Sequence, residues 1–286
     1  MEHLVPDDLW ALIAPLFPDP AVPASRGRPP LHPRRVLAGI LYLLRWGLPW
    51  RQLPLALGCG SGRTCERRFN EWQRAGLWSR LHVRLLEAAH HAGHLDWTRS
   101  ALDSASVLAP RGGEHTGANP TDRGKRGSKL HVLIDGQGIP LAITVTGANV
   151  HDSRQLEATL DAVPRVRSGR RGRPRCRPAK LHADKGYDYP RCRHAIRRRG
   201  IQPRIARRGV ESKATLGRHR WRVERTLSWL LAFRRLAVRR ERCAQRFLSL
   251  AHLACAVIVW RALRRNASVP PAGSGPAVPE TSGRSA

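Results

Sequence analysis

The segment 180–188, with the sequence KLHADKGYD, constrains the fold more than any other part of the chain. A short β-type run leads to Asp184, and a Lys-Gly pair then interrupts the pattern. Ligand sites in open α/β sheets lie at the carboxyl ends of strands. We therefore predict an α/β fold with a strand over 180–184, in which Asp184 projects from the edge of the sheet where chemistry takes place.

Two further acidic residues occupy comparable positions. Asp103 closes a short run that begins at Ser100, and Glu224 lies near the start of a long amphipathic helix. If the first and fourth strands are neighbours, Asp103 and Asp184 lie side by side and the helix brings Glu224 towards them. Close carboxylates repel one another, and hard divalent cations such as Mg²⁺ relieve that repulsion. A pair of such ions can support phosphodiester hydrolysis and strand transfer.

The charge of the chain indicates a polyanionic partner. Lys and Arg number 51 against 21 Asp and Glu, which gives a formal net charge of +30. Most of this excess lies between residues 161 and 246. Nucleic acid is the polyanion that such a strongly basic protein is expected to bind.

The cysteines and the apolar segments indicate a protein of a reducing cytoplasm. The six cysteines form no CxxC pair and no zinc-type cluster with histidine, which predicts free thiols. The beginning of the sequence has no signal-peptide pattern. The segment 247–263 is apolar but contains His252 and Arg261, so we predict a buried helix and no membrane span.

Helical periodicity dominates the first third of the chain, and β-type alternation begins near residue 96. The periodicities predict helices over 4–17, 33–46, 50–57, 63–74, 77–92, 153–163, 189–199, 219–239 and 244–263, and strands over 100–103, 129–135, 140–147, 180–184 and 202–205. These elements predict a helical DNA-binding domain over 1–94, a catalytic α/β domain over 95–265 and a disordered tail over 266–286.

The Gly-rich turn 58–62 separates a short helix from a basic one, a pattern typical of a helix-turn-helix. The basic helix carries Arg63, Arg67 and Arg68, which we predict to contact DNA. The alternative is a set of packed helices whose arginines are merely solvated.

Several long segments together resemble bacterial DDE-type transposases of the insertion-sequence-5-like family. The matching segments are LDSASV (102–107), HTGANPTDRGKRGSKLHVLIDGQGIPLAITVTGANVHDS (115–153), LHADKGYD (181–188) and HRWRVERTLSWLLAFRRLAVRRER (219–242). The resemblance implies a ribonuclease H-like catalytic core, with a mixed five-stranded sheet flanked by helices, after a small all-helical, helix-turn-helix-like domain. It also implies that Asp103, Asp184 and Glu224 are both the catalytic and the metal-binding residues, with two Mg²⁺ ions for which Mn²⁺ can substitute.

The resemblance further implies an insertion-sequence transposase that binds the terminal inverted repeats and the target in double-stranded DNA. Such an enzyme performs metal-dependent strand cleavage and strand transfer, and we expect a homodimer on DNA and no membrane association. Lys129, Lys185, Arg220 and Arg225 are predicted to contribute to DNA binding.

The glutamate helix departs from the family pattern in two places. Arg220 stands at the expected spacing before Glu224, but Gly217 replaces a tyrosine and Leu231 replaces a lysine. These differences concern the contacts of the helix with DNA and leave the predicted metal site unchanged.

Alternative interpretations exist for the site and for the whole chain. Glu241 is the alternative to Glu224 as the third acid of the site, but the arginines beside Glu241 suggest that it forms ion pairs instead. Asp135 has a structural interpretation as a hairpin residue, and His151, Asp152 and Ser153 have one as helix-capping residues. The tryptophans of the last two helices suggest packing. The chain could also be a DNA-binding repressor without catalysis, or a metal-dependent nuclease or resolvase that only hydrolyses DNA.

Overall fold

The computed structural model describes residues 4–18, 30–169, 171–207 and 213–267, with the backbone alone for 213–220 and 266–267. The helices are α1 (Asp7–Ile13), α2 (Pro33–Trp46), α3 (Gly62–Arg74), α4 (Leu77–His91), α5 (Asp152–Asp161), α6 (Pro190–Arg198), α7 (Lys213–Leu231), α8 (Arg234–Ala237) and α9 (Ala244–Ala267). The strands are β1 (Ser100–Leu108), β2 (Gly117–Ala118), β3 (Arg126–Asp135), β4 (Pro140–Gly147), β5 (Lys180–Ala183) and β6 (Gln202–Ile205).

The N-terminal helices α1–α4 pack around aromatic side chains. Phe69 stacks on Trp78 with ring centroids 5.0 Å apart, and Trp50 approaches Phe69 at 5.4 Å. The helix predicted over 50–57 is wrong, because this segment forms two short 3₁₀ turns instead. Pro54 accounts for the difference, since it lacks the amide hydrogen that a continuous α-helix requires.

The start of α3 lies directly against one of these turns. A Cβ atom placed on Gly62 would lie 1.6 Å from the carbonyl oxygen of Trp50. Only glycine allows this close approach of the two backbones.

The sheet is mixed and confirms the ribonuclease H-like core. Five strands lie in the order β4-β3-β1-β5-β6, and the short β2 pairs with the beginning of β3. The pairs β3-β4 and β1-β3 are antiparallel, whereas β1-β5 and β5-β6 are parallel. The first and fourth predicted strands, now β1 and β5, are neighbours as expected.

Strand β1 is longer than predicted, and Asp103 lies in its interior, not at its end. The pairing with β3 continues from Ser100 opposite Asp135 to Leu108 opposite Gly127. This long ladder holds the small polar residues after Asp103 in an extended conformation, which their intrinsic propensities did not indicate.

Helices cover both faces of the sheet. On one face, Thr144 of β4 and Thr159 of α5 share a hydrogen bond of 2.8 Å, and α6 packs beside α5. Of the predicted capping residues, His151 is confirmed and Ser153 is wrong, because the Nδ1 atom of His151 accepts from the Ser153 amide and caps α5.

The opposite face is covered by the C-terminal helices. Helix α7 packs against β1, β3 and β5, and α9 packs against α4, α7 and β4. The single helix predicted over 219–239 is interrupted after Leu231 and resumes as the short α8, after which Val238 forms an isolated parallel bridge with Leu108. Residues 268–286, which include nearly all of the predicted tail, lie outside the described residues.

Helix α9 satisfies the length and hydropathy criteria for a membrane span over Ala244–Arg265. However, 61% of its most apolar window is buried inside the protein. The buried helix predicted from the sequence is thus confirmed.

Candidate active site

Strands β1 and β5 bring Asp103 and Asp184 to matching positions. Ser100 is opposite Leu181, and Ala101 is opposite His182. Continuing this parallel register by two residues sets Asp103 opposite Asp184. Residues in register on adjacent strands project to the same face of a sheet, so the two carboxylates share one face.

That face is the one covered by the C-terminal helices. Asp103 pairs with Val132 of β3, and Ser128 projects to the same side four residues away. The guanidinium of Arg239, which follows α8, donates to the Ser128 hydroxyl at 2.7 Å. Glu224 belongs to the same layer, because it lies on α7 at the exposed margin beside buried Val223.

Backbone amides hold one oxygen of each aspartate. The Ser104 amide donates to Oδ1 of Asp103, and the Gly186 amide donates to Oδ1 of Asp184, each at 2.8 Å. The second bond begins a 3₁₀ turn over Lys185–Tyr187. Both carboxylates are half-buried, so these bonds restrict their orientation without removing them from solvent.

The Tyr187 side chain reports the charge of this region. Its hydroxyl is buried and has no hydrogen-bond partner within the described ranges. Burial raises the pKa of Tyr187 well above its ordinary value, and the carboxylates of Asp152, Asp103 and Asp184 raise it further. The carboxylates of Asp103 and Asp184 therefore both act on one buried phenol, whereas the charge of Asp152 is balanced by the ammonium of Lys129.

The donor chemistry of the two aspartates fits a hard divalent cation, since such ions prefer carboxylate oxygens. No three His, Cys, Asp or Glu side chains of the described chain form a group that could hold a metal ion. The structure thus sets two carboxylates side by side, but it does not gather Glu224 with them into a closed ligand set.

A charged cluster that the sequence did not indicate lies on the opposite face of the sheet. The ammonium of Lys129 donates to the Val150 carbonyl at 2.8 Å and to Asp152 Oδ1 at 2.9 Å. His131 Nδ1 lies 4.0 Å from the same carboxylate oxygen, and burial lowers the pKa of His131 to about 4. The sequence offered no signal for the Lys129–Asp152 pair, because its members are 23 residues apart.

The predicted DNA-contacting residues whose side chains the structure describes lie in four separate places. Arg63 is exposed on α3, while Arg67 and Arg68 each pair with Glu71 at 3.1 Å. Lys185 lies in the turn that follows the second aspartate. The structure does not bring these residues together with Lys129, whose ammonium faces α5.

Arg225 lies between two tryptophans of its own helix. Its guanidinium carbon lies 4.7 Å from the ring centroid of Trp221 and 4.5 Å from that of Trp229, and it donates to the Gln137 carbonyl at 2.8 Å. Trp221 is 47% exposed, and the packing role predicted for it stays a prediction. The side chain of Arg220 lies outside the described residues.

Glu241 has a structural partner, as its arginine neighbours suggested. Its Oε1 atom accepts from Nη2 of Arg235 at 2.6 Å and from Nε at 3.0 Å. Both side chains are buried. An acid occupied in this way is a poor candidate for a site that must meet a substrate.

Comparison with known families agrees with the fold. The family model described as a transposase DDE domain matches residues 96–259, and a model described as a transposase of the IS4/5 family matches residues 5–82. The chain belongs to the DDE-domain transposases of bacterial insertion sequences, and it is a DNA-cleaving and strand-transferring enzyme.

The similar proteins come from one insertion element of Burkholderia cepacia. A transposase described for IS402 is 50% identical over 167 residues, which cover 58% of this chain and 77% of the relative. An IS402 protein of 16.2 kDa is 45% identical over 119 residues, which cover 41% of this chain and 81% of the relative.

Among solved structures, the Mos1 strand transfer complex aligns with 83% of this chain and 81% of its own chain. The sequence identity is 12% and the TM-score is 0.28, a likeness too low to support any conclusion about the site.

Proposed function

We propose that this transposase binds the terminal inverted repeats of its element in double-stranded DNA and cuts at them through Asp103, Asp184 and Glu224. The observation that supports this proposal is the β1-β5 register, whose continuation by two residues aligns Asp103 with Asp184. Glu224 is the third acid because it lies on the helix that covers that face and is exposed. Glu241 is occupied by Arg235.

Two Mg²⁺ ions, or Mn²⁺ in their place, are the proposed cofactors. Asp103 and Asp184 would hold them through hard carboxylate oxygens, with Glu224 as the third acid. When bound, such a pair of ions activates an attacking water and stabilises the leaving oxygen of the phosphodiester.

The protein's own residues orient this chemistry. The Ser104 and Gly186 amides each hold one carboxylate oxygen and so limit the rotation of both aspartates. After hydrolysis, the freed 3′-hydroxyl can attack a second phosphate in target DNA, with loss of its proton and departure of the target 3′-oxygen. Strand transfer then needs no covalent bond to the protein.

We also propose a domain organisation, an assembly and a location for the enzyme. Residues 1–94 form a DNA-binding domain in which Arg63, Arg67 and Arg68 face the repeat, and residues 95–265 form the catalytic domain. A dimer would hold the two ends of one element. The enzyme would act on the nucleoid in the bacterial cytoplasm.

Variants that remove charge but keep shape test the triad. Asp103→Asn, Asp184→Asn and Glu224→Gln should each abolish cleavage of DNA carrying the terminal repeats while retaining its binding. Glu157→Gln is the matched control, because Glu157 is a carboxylate on α5 across the sheet, and it should cut like the wild type. Cleavage near the wild-type rate by any triad variant would remove that residue from the site.

A further inference from the structure

A large cavity opens where α1 and α2 meet α7 and α9. Its volume is about 780 Å³, and its floor is apolar, with Leu41, Phe233 and Val257 among the lining residues. Four arginines line it against a single carboxylate, that of Asp8; they are Arg45, Arg261, Arg264 and Arg265. A cavity with an apolar floor and this excess of positive charge suits an anionic occupant better than an apolar one.

Aromatic rings hold several of these guanidinium groups. Arg45 lies 5.6 Å from the ring centroid of Trp46, and Arg261 lies 5.7 Å from that of Phe233. Arg265 lies 5.3 Å from the ring centroid of Trp229. Cation–π contacts position a guanidinium without neutralising its charge, so the group keeps its attraction for an anion.

The arginines also lie close enough to repel one another. Burial lowers the pKa of Arg261, and the nearby charges of Arg45 and Arg265 lower it further. Burial likewise lowers the pKa of Arg225, with additional effects from Arg265 and Arg222. A polyanion bound along this surface would relieve the repulsion.

The basic surface continues from the cavity towards the candidate active site. Trp229 lines the cavity, and Arg225 and Trp221 precede it on α7 at intervals of four residues. Side chains at this spacing are neighbours on a helix surface. Trp221 is in turn three residues from Glu224, so an extended ligand in the cavity would pass close to the proposed catalytic acid.

We propose that Arg45 and Arg261 bind the phosphodiester backbone of DNA at the mouth of this cavity, as a contact surface separate from α3. The inference rests on the proposed function only for the identity of the polyanion. Helix α3 is the weaker candidate for backbone binding, because Arg67 and Arg68 already share Glu71. The two surfaces would contact the same DNA at different points.

The test compares two double variants that remove the same charge. Arg45→Gln with Arg261→Gln neutralises the cavity, while Arg154→Gln with Arg197→Gln neutralises exposed positions on α5 and α6 across the sheet. Binding of a fluorescent duplex is followed by anisotropy without metal over a range of salt concentrations. The cavity variant should bind more weakly, with a salt slope lower by about one for each arginine, and the control should keep the wild-type slope.

Further arms distinguish the competing outcomes. Terminal-repeat and scrambled duplexes should lose affinity equally, since backbone contacts carry no sequence information. If the cavity variant has the same DNA affinity and salt slope as the control variant, the proposal is overturned. A change in sedimentation without a change in DNA binding would also overturn it, because the occupant of the cavity would then be a second copy of the chain. Wild-type cleavage is measured separately, so a lack of cutting would refute the proposed function and leave the cavity result intact.

Discussion

Replacing Glu241 by alanine should destabilise the fold strongly, although this acid has no role in the proposed chemistry. Glu241 and Arg235 form an ion pair in which each side chain is only 3% exposed. Arg235 also donates to the Leu48 carbonyl and lies 4.7 Å from the ring centroid of Trp50. The pair therefore connects the end of α8 with the segment between α2 and α3.

The expected magnitude follows from the burial of this pair. Removing one member of a buried ion pair costs about 3–5 kcal/mol, because the other charge stays buried without its partner. Here the guanidinium of Arg239 is also buried. Among the charges near Arg239, that of Glu241 does most to favour the charged guanidinium. We expect Glu241→Ala to fall in the upper half of this range.

Equilibrium unfolding in urea measures this cost. The variant Arg235→Met with Glu241→Leu provides the control, because apolar replacement of both charges should be less destabilising than the loss of Glu241 alone. A loss below about 1 kcal/mol for Glu241→Ala would refute the reasoning, since values of that size are typical of exposed pairs. Glu224→Gln should show the opposite behaviour, with unchanged stability and no cleavage.

Three further predictions concern stability. Lys129→Met should lower the free energy of unfolding by about 1–2 kcal/mol, because Asp152 loses its ammonium partner. An unchanged melting temperature in thermal unfolding would contradict this prediction. Burial lowers the pKa of His82 to about 3 from 6.5, so the folded protein favours the neutral imidazole. The free energy of unfolding should therefore decrease as the pH falls from 6.5 towards 3. Urea titrations at several pH values should show a smaller decrease for His82→Gln. Gly62→Ala should cost more than about 2 kcal/mol, because its Cβ would overlap the Trp50 carbonyl; a smaller cost would mean that α3 can shift.

The main features of the site could be predicted because they depend on local patterns. The short runs before Asp103 and Asp184 indicated two strands, and the β1-β5 register agrees with the side-by-side placement expected if those strands are neighbours. The length of β1 could not be predicted, since it depends on a partner strand that begins at Arg126. Local propensity alone carries no information about such long-range pairing.

Contacts between distant parts of the chain also could not be predicted from the sequence. The sequence suggests that Lys129 faces solvent or DNA, whereas in the folded protein its ammonium binds Asp152. The cavity arginines show the same limitation, because Arg45 belongs to α2 and Arg261 to α9. Their repulsion exists only after the N-terminal helices pack on the C-terminal ones.

The most direct test of the account is Mg²⁺-dependent cutting of DNA that carries the gene's own flanking sequence, by the wild type and by Asp184→Asn. Both proteins should bind this DNA, and the wild type alone should cut it at the element boundary and leave a 3′-hydroxyl. Equal cutting by both proteins would exclude Asp184 from the catalytic site. Binding by both without any cutting would contradict the account and identify the chain as a catalytically silent DNA-binding protein.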